Sequence, residues 1–490
     1  MSPLKIFFTR FSHFLTGMGV AQLFGLLTFP ILTRALTKEQ YGVMSLINTT
    51  MLLAVAISKA GLSDGIIRFY KEYSADREKL TIFSSTVFMR GLVFSIFSVI
   101  LYLAAIPVIN HYLKYDRTYI LCFIVMAFSL FIRPLIMIIV NFLRAIGKTV
   151  FLNVISIVGA TISVGLSLFF LLYVIGGLYG YFIGGVIAEY ALGGIFFYWF
   201  FKQYRVMPSR VSGALAIQLI KFGLPLLFSE CAFLALSYAD RYLIVAYYNE
   251  SVLGLYSVGY NLAMYIANIL MFSISYSVVP IYVDIYNSEG KEKTEEFLGK
   301  CLHYILIAFI PICFGYIAIS KDLFTTLASE KYASAASFSP IILIGSIFFA
   351  LNYILNAGLY LAKRSMTMLG IMLLAVAVNI LLNILLLPPY GVMGAAIATL
   401  VACIMVPVLS AVLSRKHINM KVNITTVVYY IVLSSCMLLV VKQIETSTSW
   451  LNLILKIVTG VIIVALGTLY REDEIVYLIK SRLKAAQYHQ

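Results

Sequence analysis

Charged side chains are scarce in this chain of 490 residues. Asp, Glu, Lys and Arg together make up 12% of it, whereas apolar residues make up 62%. Charged residues account for about 25% of an ordinary soluble domain, and the mean hydropathy of this chain is +0.97. The composition therefore excludes a water-soluble globular protein and predicts an integral membrane protein.

Cysteine is also sparse, and the six cysteines include no CxxC pair. All of them fall within apolar stretches, so they are expected to be small packing residues rather than disulfide partners or metal ligands. The sequence also lacks a Walker loop, an HExxH motif and a GxSxG motif in a soluble context. These absences predict a protein that is not an enzyme and has no cofactor or metal. If such a membrane protein transports a substrate, the lack of a nucleotide site means that transport would draw on an ion gradient, the membrane potential or a substrate gradient.

Long apolar runs are what the chain has in abundance. A helix needs about 20 apolar residues to cross a bilayer, and these runs are too long and too uniformly apolar for barrel strands. They predict an all-α bundle of about 14 transmembrane helices. The first run lacks a clear cleavage site and is expected to be retained. The predicted spans 1 to 14 are Phe11–Thr33, Tyr41–Leu62, Leu80–Ile109, Thr118–Asn141, Thr149–Val174, Leu178–Phe201, Ile217–Tyr238, Leu253–Tyr276, Cys301–Ile319, Phe338–Tyr360, Met366–Leu387, Gly391–Val412, Ile424–Val441 and Leu451–Tyr470.

The net charge of +15 is distributed unevenly between alternate loops. One set of loops holds about three times as many Lys and Arg residues as the other. Lys and Arg resist translocation, so the richer loops are predicted to face the cytoplasm, together with both termini. One missed helix would spoil this alternation, which therefore supports the predicted number of spans. The basic excess is explained by topology, and no nucleic-acid partner is expected.

Short motifs recur at a nearly constant spacing. YGVMS from Tyr41, at the start of span 2, matches LGLYS from Leu253, at the start of span 8. GLYG from Gly177 matches GVMG from Gly391 at the starts of spans 6 and 12, and the basic turn at Gly147 matches that at Lys363. The spacing corresponds to six spans, so two parallel repeats are predicted, related by an axis along the membrane normal. The predicted domains are an N-lobe at 1–205, a C-lobe at 206–415, and spans 13 and 14 with a cytoplasmic tail at 416–490, with Lys202–Ala216 as the linker between lobes.

Charged side chains inside predicted spans are the first candidates for function, because a charge within the bilayer is costly. The basic ones predominate, which favours an anionic substrate, and Arg can hold phosphate oxygens with two nitrogens at once. Prolines are predicted to interrupt five spans. The charged candidates are Lys59, Arg90, Arg133, Glu189, Glu230 and Lys456, with Asp240 and Arg241 just past span 7; the prolines are Pro30, Pro134, Pro225, Pro311 and Pro407.

Each charged candidate also has a structural interpretation. Lys59 could extend its ammonium group towards the interface, and Lys456 could do the same. Arg133 could satisfy carbonyl groups freed by the following proline. The remaining alternatives are ion pairs: Glu189 with Arg90, Asp240 with Arg241, and Asp64 with Arg68.

Span 8 has a polar face made of aromatic, hydroxyl and amide groups. Such groups suit the hydroxyls of a sugar, and they could equally be hydrogen-bonded contacts between helices. Amides at helical spacing in spans 10 and 11 have the same two interpretations. The residues are Tyr256, Ser257, Tyr260, Asn261, Tyr265 and Asn268 in span 8, and Asn352, Asn356, Asn379 and Asn383 in spans 10 and 11.

Five strings support a family resemblance: FPILTRALTKEQYGVMSLINTT from Phe29, GLSDGIIRF from Gly61, RAIGK from Arg144, FGLPLLFSECAFLALSYADRYLI from Phe222 and LGLYSVGYNL from Leu253. In this order, and with fourteen spans in two halves, they resemble the polysaccharide transporter family, the Wzx-type O-antigen flippases. That family belongs to the multidrug/oligosaccharidyl-lipid/polysaccharide exporter superfamily. The resemblance covers nearly the whole chain and is strongest in spans 1, 2, 7 and 8.

The resemblance implies a flippase of the bacterial inner membrane. Its substrate would be an undecaprenyl-diphosphate-linked oligosaccharide, a unit of O-antigen lipopolysaccharide or of another surface polysaccharide, moved from the cytoplasmic to the periplasmic leaflet by alternating access. The lipid tail would stay in the bilayer, and the polysaccharide polymerase and chain-length machinery would be partners. The resemblance assigns anion contacts to Lys59, Arg90, Arg133 and, near the periplasmic exit, Arg241, with ion coupling at Glu189, Glu230 and Asp240; Tyr256, Tyr260, Asn261 and Asn268 are the candidates for sugar contacts.

Two other functions remain open at this point. A cation-coupled multidrug antiporter of the same superfamily would favour twelve helices and an acidic interior, whereas this chain has two more spans and a basic interior. A membrane polysaccharide polymerase would carry a long periplasmic loop, and the longest outward loop here, Lys321–Ser337, is short.

Overall fold

The computed structural model describes residues 3–420, 423–446 and 448–471. Within these ranges the chain is almost entirely helical and contains no β-strand, which confirms the predicted all-α membrane fold. The predicted cytoplasmic tail beyond Arg471 lies outside the described residues.

Seventeen α-helices follow one another among the described residues. Two short π-helical turns, Phe170–Val174 and Phe324–Ala328, extend α6 and α10, and a 3-10 segment, Glu330–Ser337, precedes α11. The helices are α1 Pro3–Ala35, α2 Lys38–Ser58, α3 Leu62–Tyr73, α4 Arg77–Leu113, α5 Arg117–Ala145, α6 Thr149–Phe169, α7 Gly177–Gln203, α8 Gly213–Tyr247, α9 Glu250–Ser288, α10 Lys291–Leu323, α11 Ser339–Ala350, α12 Asn352–Leu355, α13 Ala357–Leu361, α14 Ser365–Tyr390, α15 Val392–Ser414, α16 Ile424–Lys442 and α17 Ser449–Arg471.

Thirteen helical stretches in the described residues are long and apolar enough to cross a membrane. They coincide with predicted spans 2 to 14, and predicted span 1 lies inside α1. The predicted order of the spans is therefore confirmed. The predicted ends are less accurate: span 7 was expected to end at Tyr238, but α8 continues to Tyr247. Asp240 and Arg241, predicted to lie just past that span, are thus inside the helix.

Span 2 is broken by a glycine rather than by proline. After Lys59, Ala60 and Gly61 have φ angles of 47° and 73°, and α3 starts at the next residue. Gly61 tolerates this left-handed conformation because it has no Cβ. All five prolines predicted to interrupt spans lie inside continuous helices, so that prediction was wrong. They are Pro30, Pro134, Pro225, Pro311 and Pro407.

Grouped by packing, the chain forms two compact units. The first unit comprises Leu23–Ser257 with Met372–Pro389, and the second comprises Met1–Gln22, Val258–Ile371 and Tyr390–Gln490. In the first, α5 packs on α4 and α7, and α8 packs on α2 and α3; in the second, α10 packs on α16 and α17, and α11 on α15. These units are defined by packing and do not test whether the chain repeats itself. The two six-helix repeats therefore stay a prediction.

Within the first unit, the two matching motifs of the predicted repeat touch each other. Ser45 and Ser257, separated by 212 residues, have their hydroxyl oxygens 2.8 Å apart. Gly42 of α2 faces Gly254 of α9 so closely that a Cβ on Gly42 would overlap the carbonyl oxygen of Glu250. A Cβ on Gly254 would likewise overlap the carbonyl oxygen of Lys38. Because equivalent residues contact equivalent residues, this helix crossing has the geometry of a local twofold axis.

The linker predicted at Lys202–Ala216 is fixed along α4. Three consecutive side chains of α4 hold it with hydrogen bonds of 2.9 Å: Ser84 donates to the carbonyl of Arg205, and Ser85 and Thr86 accept from the amides of Met207 and Ser212. Near the start of the linker, the Phe142 ring lies 4.9 Å from the Tyr204 ring and 5.2 Å from the Phe200 ring. The linker therefore follows the surface of the first unit instead of crossing open space.

The glycine crossing generates a stability prediction. Gly42→Ala adds a methyl group where backbone atoms already touch, so we expect it to lower the free energy of unfolding by about 1–3 kcal/mol. Gly165→Ala is the matched control, because no atom lies within 4 Å of a Cβ built on that α6 glycine. There, the better helix propensity of Ala should leave the stability unchanged or raise it by up to about 1 kcal/mol. Thermal unfolding of both variants in one detergent measures the contrast, and equal effects would contradict the close contact.

Candidate functional site

The three candidates for ion coupling lie beside three of the four candidates for anion contacts. Lys59 pairs with Glu230, Arg133 pairs with Glu189, and Arg241 follows Asp240 in α8. All six residues belong to the first unit. An ionised group inside lipid-spanning helices is costly unless a counter-charge and hydrogen bonds compensate it. The first unit therefore contains cation–carboxylate pairs, where separate cationic and acidic sites were predicted.

The Lys59 pair lies at the break between α2 and α3. The ammonium nitrogen of Lys59 is 2.6 and 2.7 Å from the two carboxylate oxygens of Glu230 on α8. Asp64, in the first turn of α3, is close enough to interact electrostatically with both residues. The chain turns tightly here because Gly61 lies against the backbone of Gly223, leaving no space for a Cβ on either residue. The glycine contact therefore brings α8 within reach of Lys59. The ammonium group of Lys59 is bound to Glu230 and does not extend by itself towards the membrane interface.

Arg133 and Glu189 join the middle of α5 to α7. The Nε of Arg133 donates to Glu189 Oε1 at 2.9 Å, and its Nη2 contacts the same oxygen. Ser129, one turn earlier in α5, donates to Glu189 Oε2 at 2.6 Å. Arg133 thus directs two nitrogens to a carboxylate instead of to carbonyl groups freed by Pro134. The Arg133 side chain is 33% exposed, whereas that of Glu189 is 18% exposed.

Asp240 and Arg241 are the most deeply buried of the candidates. They are 1% and 2% exposed, and Asp240 Oδ2 accepts a hydrogen bond from the Tyr256 hydroxyl. The guanidinium of Arg241 lies 4.4 Å from the centre of the Tyr238 ring, in cation–π geometry. Arg241 was predicted to contact substrate near the periplasmic exit, and in this structure no substrate can reach it without movement of the surrounding helices.

Arg90 is the one candidate cation for which the described residues offer no carboxylate partner. Its Nε is buried without a hydrogen-bond acceptor. The next residue, Gly91, packs on Leu135 and Ile138 of α5, which places Arg90 at the depth of the α5 turn after Arg133. The alternative pairing of Glu189 with Arg90 is wrong, because the partners of Glu189 are Arg133 and Ser129.

The candidate sugar contacts are divided between the units. Tyr256 belongs to the first unit and is fully buried against Asp240. Tyr260, Asn261 and Asn268 belong to the second unit, where Tyr260 is buried and the two amides are half-buried along α9. All four residues lie in α9, and their assignment as sugar contacts stays a prediction.

Sequence reasoning missed several partners. Ser129 precedes Arg133 by four residues in α5, and this helical spacing could have signalled a shared carboxylate. Arg68 pairs with Glu72 at 3.1 Å rather than with Asp64. Lys456, expected to reach towards the interface, is 8% exposed and lies 2.6 Å from Asp322. Within the part of the chain that the structure describes, no group of three His, Cys, Asp or Glu side chains is arranged to hold a metal ion.

Solved structures of transporters share this fold. The lipid II flippase MurJ in an inward closed conformation aligns with a TM-score of 0.75 over 94% of this chain and 99% of its own length, at 16% identity. An inward-facing multidrug transporter of the MATE family aligns with a TM-score of 0.64 over 83% of this chain and 94% of its own, at 14% identity. A Vibrio cholerae MATE transporter aligns with a TM-score of 0.61, at 14% identity, over 85% of this chain and 97% of its own. At these identities the likeness concerns the fold.

Sequence comparison gives the family. An uncharacterized membrane protein of Methanocaldococcus jannaschii, MJ1068, is 26% identical over 202 residues, which are 41% of this chain and 39% of that protein. The chain thus spans well under half the length of this relative. Residues 31–337 match the family described as polysaccharide biosynthesis protein, and this range includes all the candidate residues assigned above to anion contacts, ion coupling and sugar contacts. The predicted resemblance is confirmed, and the chain belongs to the polysaccharide biosynthesis protein family.

Proposed function

We propose that this protein is a flippase that moves a polyprenyl-diphosphate-linked oligosaccharide from the cytoplasmic to the outer leaflet by alternating access. Its family supports a role in polysaccharide biosynthesis, and its fold, shared with a lipid flippase and with drug transporters, supports transport rather than catalysis. The proposal includes the undecaprenyl carrier, an O-antigen or other surface polysaccharide unit as cargo, and the bacterial inner membrane with cytoplasmic termini. The polymerase and chain-length machinery would receive the cargo.

The Arg133 pair is the observation that carries this proposal. A guanidinium that is partly exposed within lipid-spanning helices, and that already holds a carboxylate with two nitrogens, can hold a diphosphate in the same way. Arg90, at a similar depth in α4 and without a carboxylate partner, supplies a second cation for the same anion. A diphosphate carries several anionic oxygens and can engage both residues.

Exchange of anions at Arg133 would couple transport to an ion. A diphosphate that binds Arg133 displaces Glu189, and the displaced carboxylate, still inside the membrane, needs a cation to compensate its charge. Substrate binding at Arg133 and cation binding at Glu189 would then favour the same state, and each would strengthen the other. The pair of Lys59 and Glu230 is a second place where the same exchange can occur. Asp240 and Arg241 are buried, so they would take part only after the helices around them move.

Deleting the gene in its host tests the function itself. We expect loss of surface polysaccharide and accumulation of the lipid-linked oligosaccharide, because the cargo is assembled on the cytoplasmic side and cannot cross. Electrophoresis of surface glycans and mass spectrometry of extracted lipids measure the two effects.

Two outcomes would contradict this expectation. A strain that still displays single repeat units would indicate a polymerase, since a polymerase acts after flipping. Normal surface glycan together with new drug sensitivity would indicate a multidrug antiporter. The plasmid-borne wild-type gene is the control, because it should restore the surface polysaccharide.

Paired substitutions at Arg133 and Glu189 separate transport from folding. Arg133→Ala alone leaves Glu189 as an unpaired carboxylate, and we expect a loss of about 3–5 kcal/mol of stability and low expression. Arg133→Ala with Glu189→Gln removes both charges and keeps a partner for Ser129, so expression should recover while complementation of the deletion strain stays lost. Full complementation by the double variant would mean that the pair serves only the fold.

Glu189→Gln alone tests the competition for Arg133. A neutral amide holds the guanidinium less strongly than a carboxylate does, so the purified variant should bind a fluorescent undecaprenyl diphosphate more tightly than the wild type. Fluorescence titration of both proteins at one pH and one salt concentration measures the difference. Equal affinities would remove Glu189 from the exchange at Arg133.

A disulfide at the helix crossing tests alternating access. Ser45→Cys with Ser257→Cys places two thiols where the hydroxyl oxygens are 2.8 Å apart, a spacing from which a disulfide can form. In a background without the six native cysteines, oxidation should join the predicted N-lobe to the predicted C-lobe and stop transport. A reductant should restore it. The single variants Ser45→Cys and Ser257→Cys are the controls, and full transport by the oxidised double variant would show that this contact need not open.

A further inference from the structure

Lys456 is buried in the second unit, in α17 and outside the predicted repeat. Its ammonium nitrogen lies 2.6 Å from Asp322 Oδ2, near the end of α10. Asn452, one turn before it in α17, donates to Asp322 Oδ1 at 2.8 Å, so both oxygens of one carboxylate are occupied. A lysine is rarely buried without such compensation. The cluster of Lys456, Asp322 and Asn452 has no role in the proposed transport of the lipid-linked oligosaccharide.

Two cavities of the second unit meet at Lys456. One, of about 600 Å³, is apolar and lies between α9, α10, α16 and α17, with Pro311, Met437 and Gly460 among its lining residues. The other, of about 730 Å³, is lined mainly by charged and hydroxyl-bearing residues at the ends of α10 and α16 and the start of α17. Lys456 lines both. The polar cavity thus lies at helix ends and the apolar one lies further along the same helices.

The polar cavity favours an anion that carries hydroxyl groups. Three lysines, Lys321, Lys442 and Lys456, face it together with two acids, Asp322 and Glu445. Lys456 is already neutralised by Asp322, whereas Lys321 and Lys442 are exposed at the mouth. Asn452 is 8% exposed, and its Oδ1 is a buried acceptor without a hydrogen-bond partner among the described residues. A phosphate suits the two lysines, and a hydroxyl group suits the free amide oxygen.

We propose that these joined cavities bind an anionic phospholipid with a hydroxylated headgroup, of the phosphatidylglycerol class. Its phosphate would contact Lys321 and Lys442, its glycerol would donate a hydroxyl to Asn452 Oδ1, and one acyl chain would enter the apolar cavity beyond Lys456. The order of polar and apolar space matches that of a lipid standing in one leaflet, and the two exposed lysines attract an anionic headgroup. Bound in this way, the lipid would fasten α16 and α17 to α10. This site is independent of the proposed cargo site.

Thermal unfolding of the purified full chain in mixed micelles tests the site. Dioleoylphosphatidylglycerol should raise the unfolding temperature at lower concentrations than dioleoylphosphatidylcholine, which has the same chains and no net charge. Lys321→Gln with Lys442→Gln removes about 1 kcal/mol of attraction per lysine, so the half-saturating concentration of phosphatidylglycerol should rise roughly 10- to 30-fold. Lys291→Gln with Lys293→Gln, at the other end of α10, is the matched control and should behave as wild type.

Two further measurements test whether the phosphate must belong to a lipid and whether the apolar cavity takes part in binding. Glycerol 1-phosphate, which lacks acyl chains, should not stabilise the protein. Gly460→Leu fills part of the apolar cavity without changing a charge and should also weaken the effect of phosphatidylglycerol. Equal stabilisation by phosphatidylcholine, an unaltered response of the Lys321/Lys442 variant, full stabilisation by glycerol 1-phosphate, or a preference for undecaprenyl diphosphate over phosphatidylglycerol would each overturn the proposal.

Discussion

The cost of holding charge inside a lipid-spanning bundle governs this structure. Away from water, an ammonium or guanidinium group needs a carboxylate close by, and Lys59, Arg133 and Lys456 each have one. These contacts join α2 to α8, α5 to α7 and α10 to α17, helices that are distant in sequence. Lipid gives no hydrophobic driving force between helices, so paired charges and close glycine contacts fix which helices are neighbours. In the proposed transport cycle, the pairs at Arg133 and Lys59 would compensate the cations until a diphosphate replaces the carboxylate.

Hydropathy and charge distribution were sufficient to predict the membrane fold, because lipid permits few ways to satisfy a backbone. Helix ends and breaks were harder to predict. The break after Lys59 depends on contact between Gly61 and Gly223, which only the folded chain brings together. Proline was the wrong signal, since a helix inside a bundle can accommodate a missing amide with little visible interruption. Asp240 and Arg241 were misplaced for a related reason: a hydropathy window stops at charge, whereas the helix does not.

The sequence was sufficient to name the residues of the candidate site, but not to predict which of them pair with each other. A charge within an apolar run is visible in sequence, so the residues could be named, but the partner of Arg133 lies 56 positions away and that of Lys59 lies 171 away. Without the pairing, the cations looked like a positively charged lining and the acids like a separate set. The repeat was more informative: residues at equal positions in two motifs, Ser45 and Ser257, are in contact.

The bond between Asp322 and Lys456 has a consequence for how the protein is made. Asp322 emerges from the ribosome 134 residues before Lys456, and Asn452 follows it at a separation of 130. During synthesis α10 is therefore made before the helix that supplies the counter-charge of Asp322. Until α17 packs against α10, that carboxylate lacks the two donors that hold it in the folded protein. The end of α10 thus reaches its folded electrostatic environment only when a residue 134 positions further along the chain has joined it.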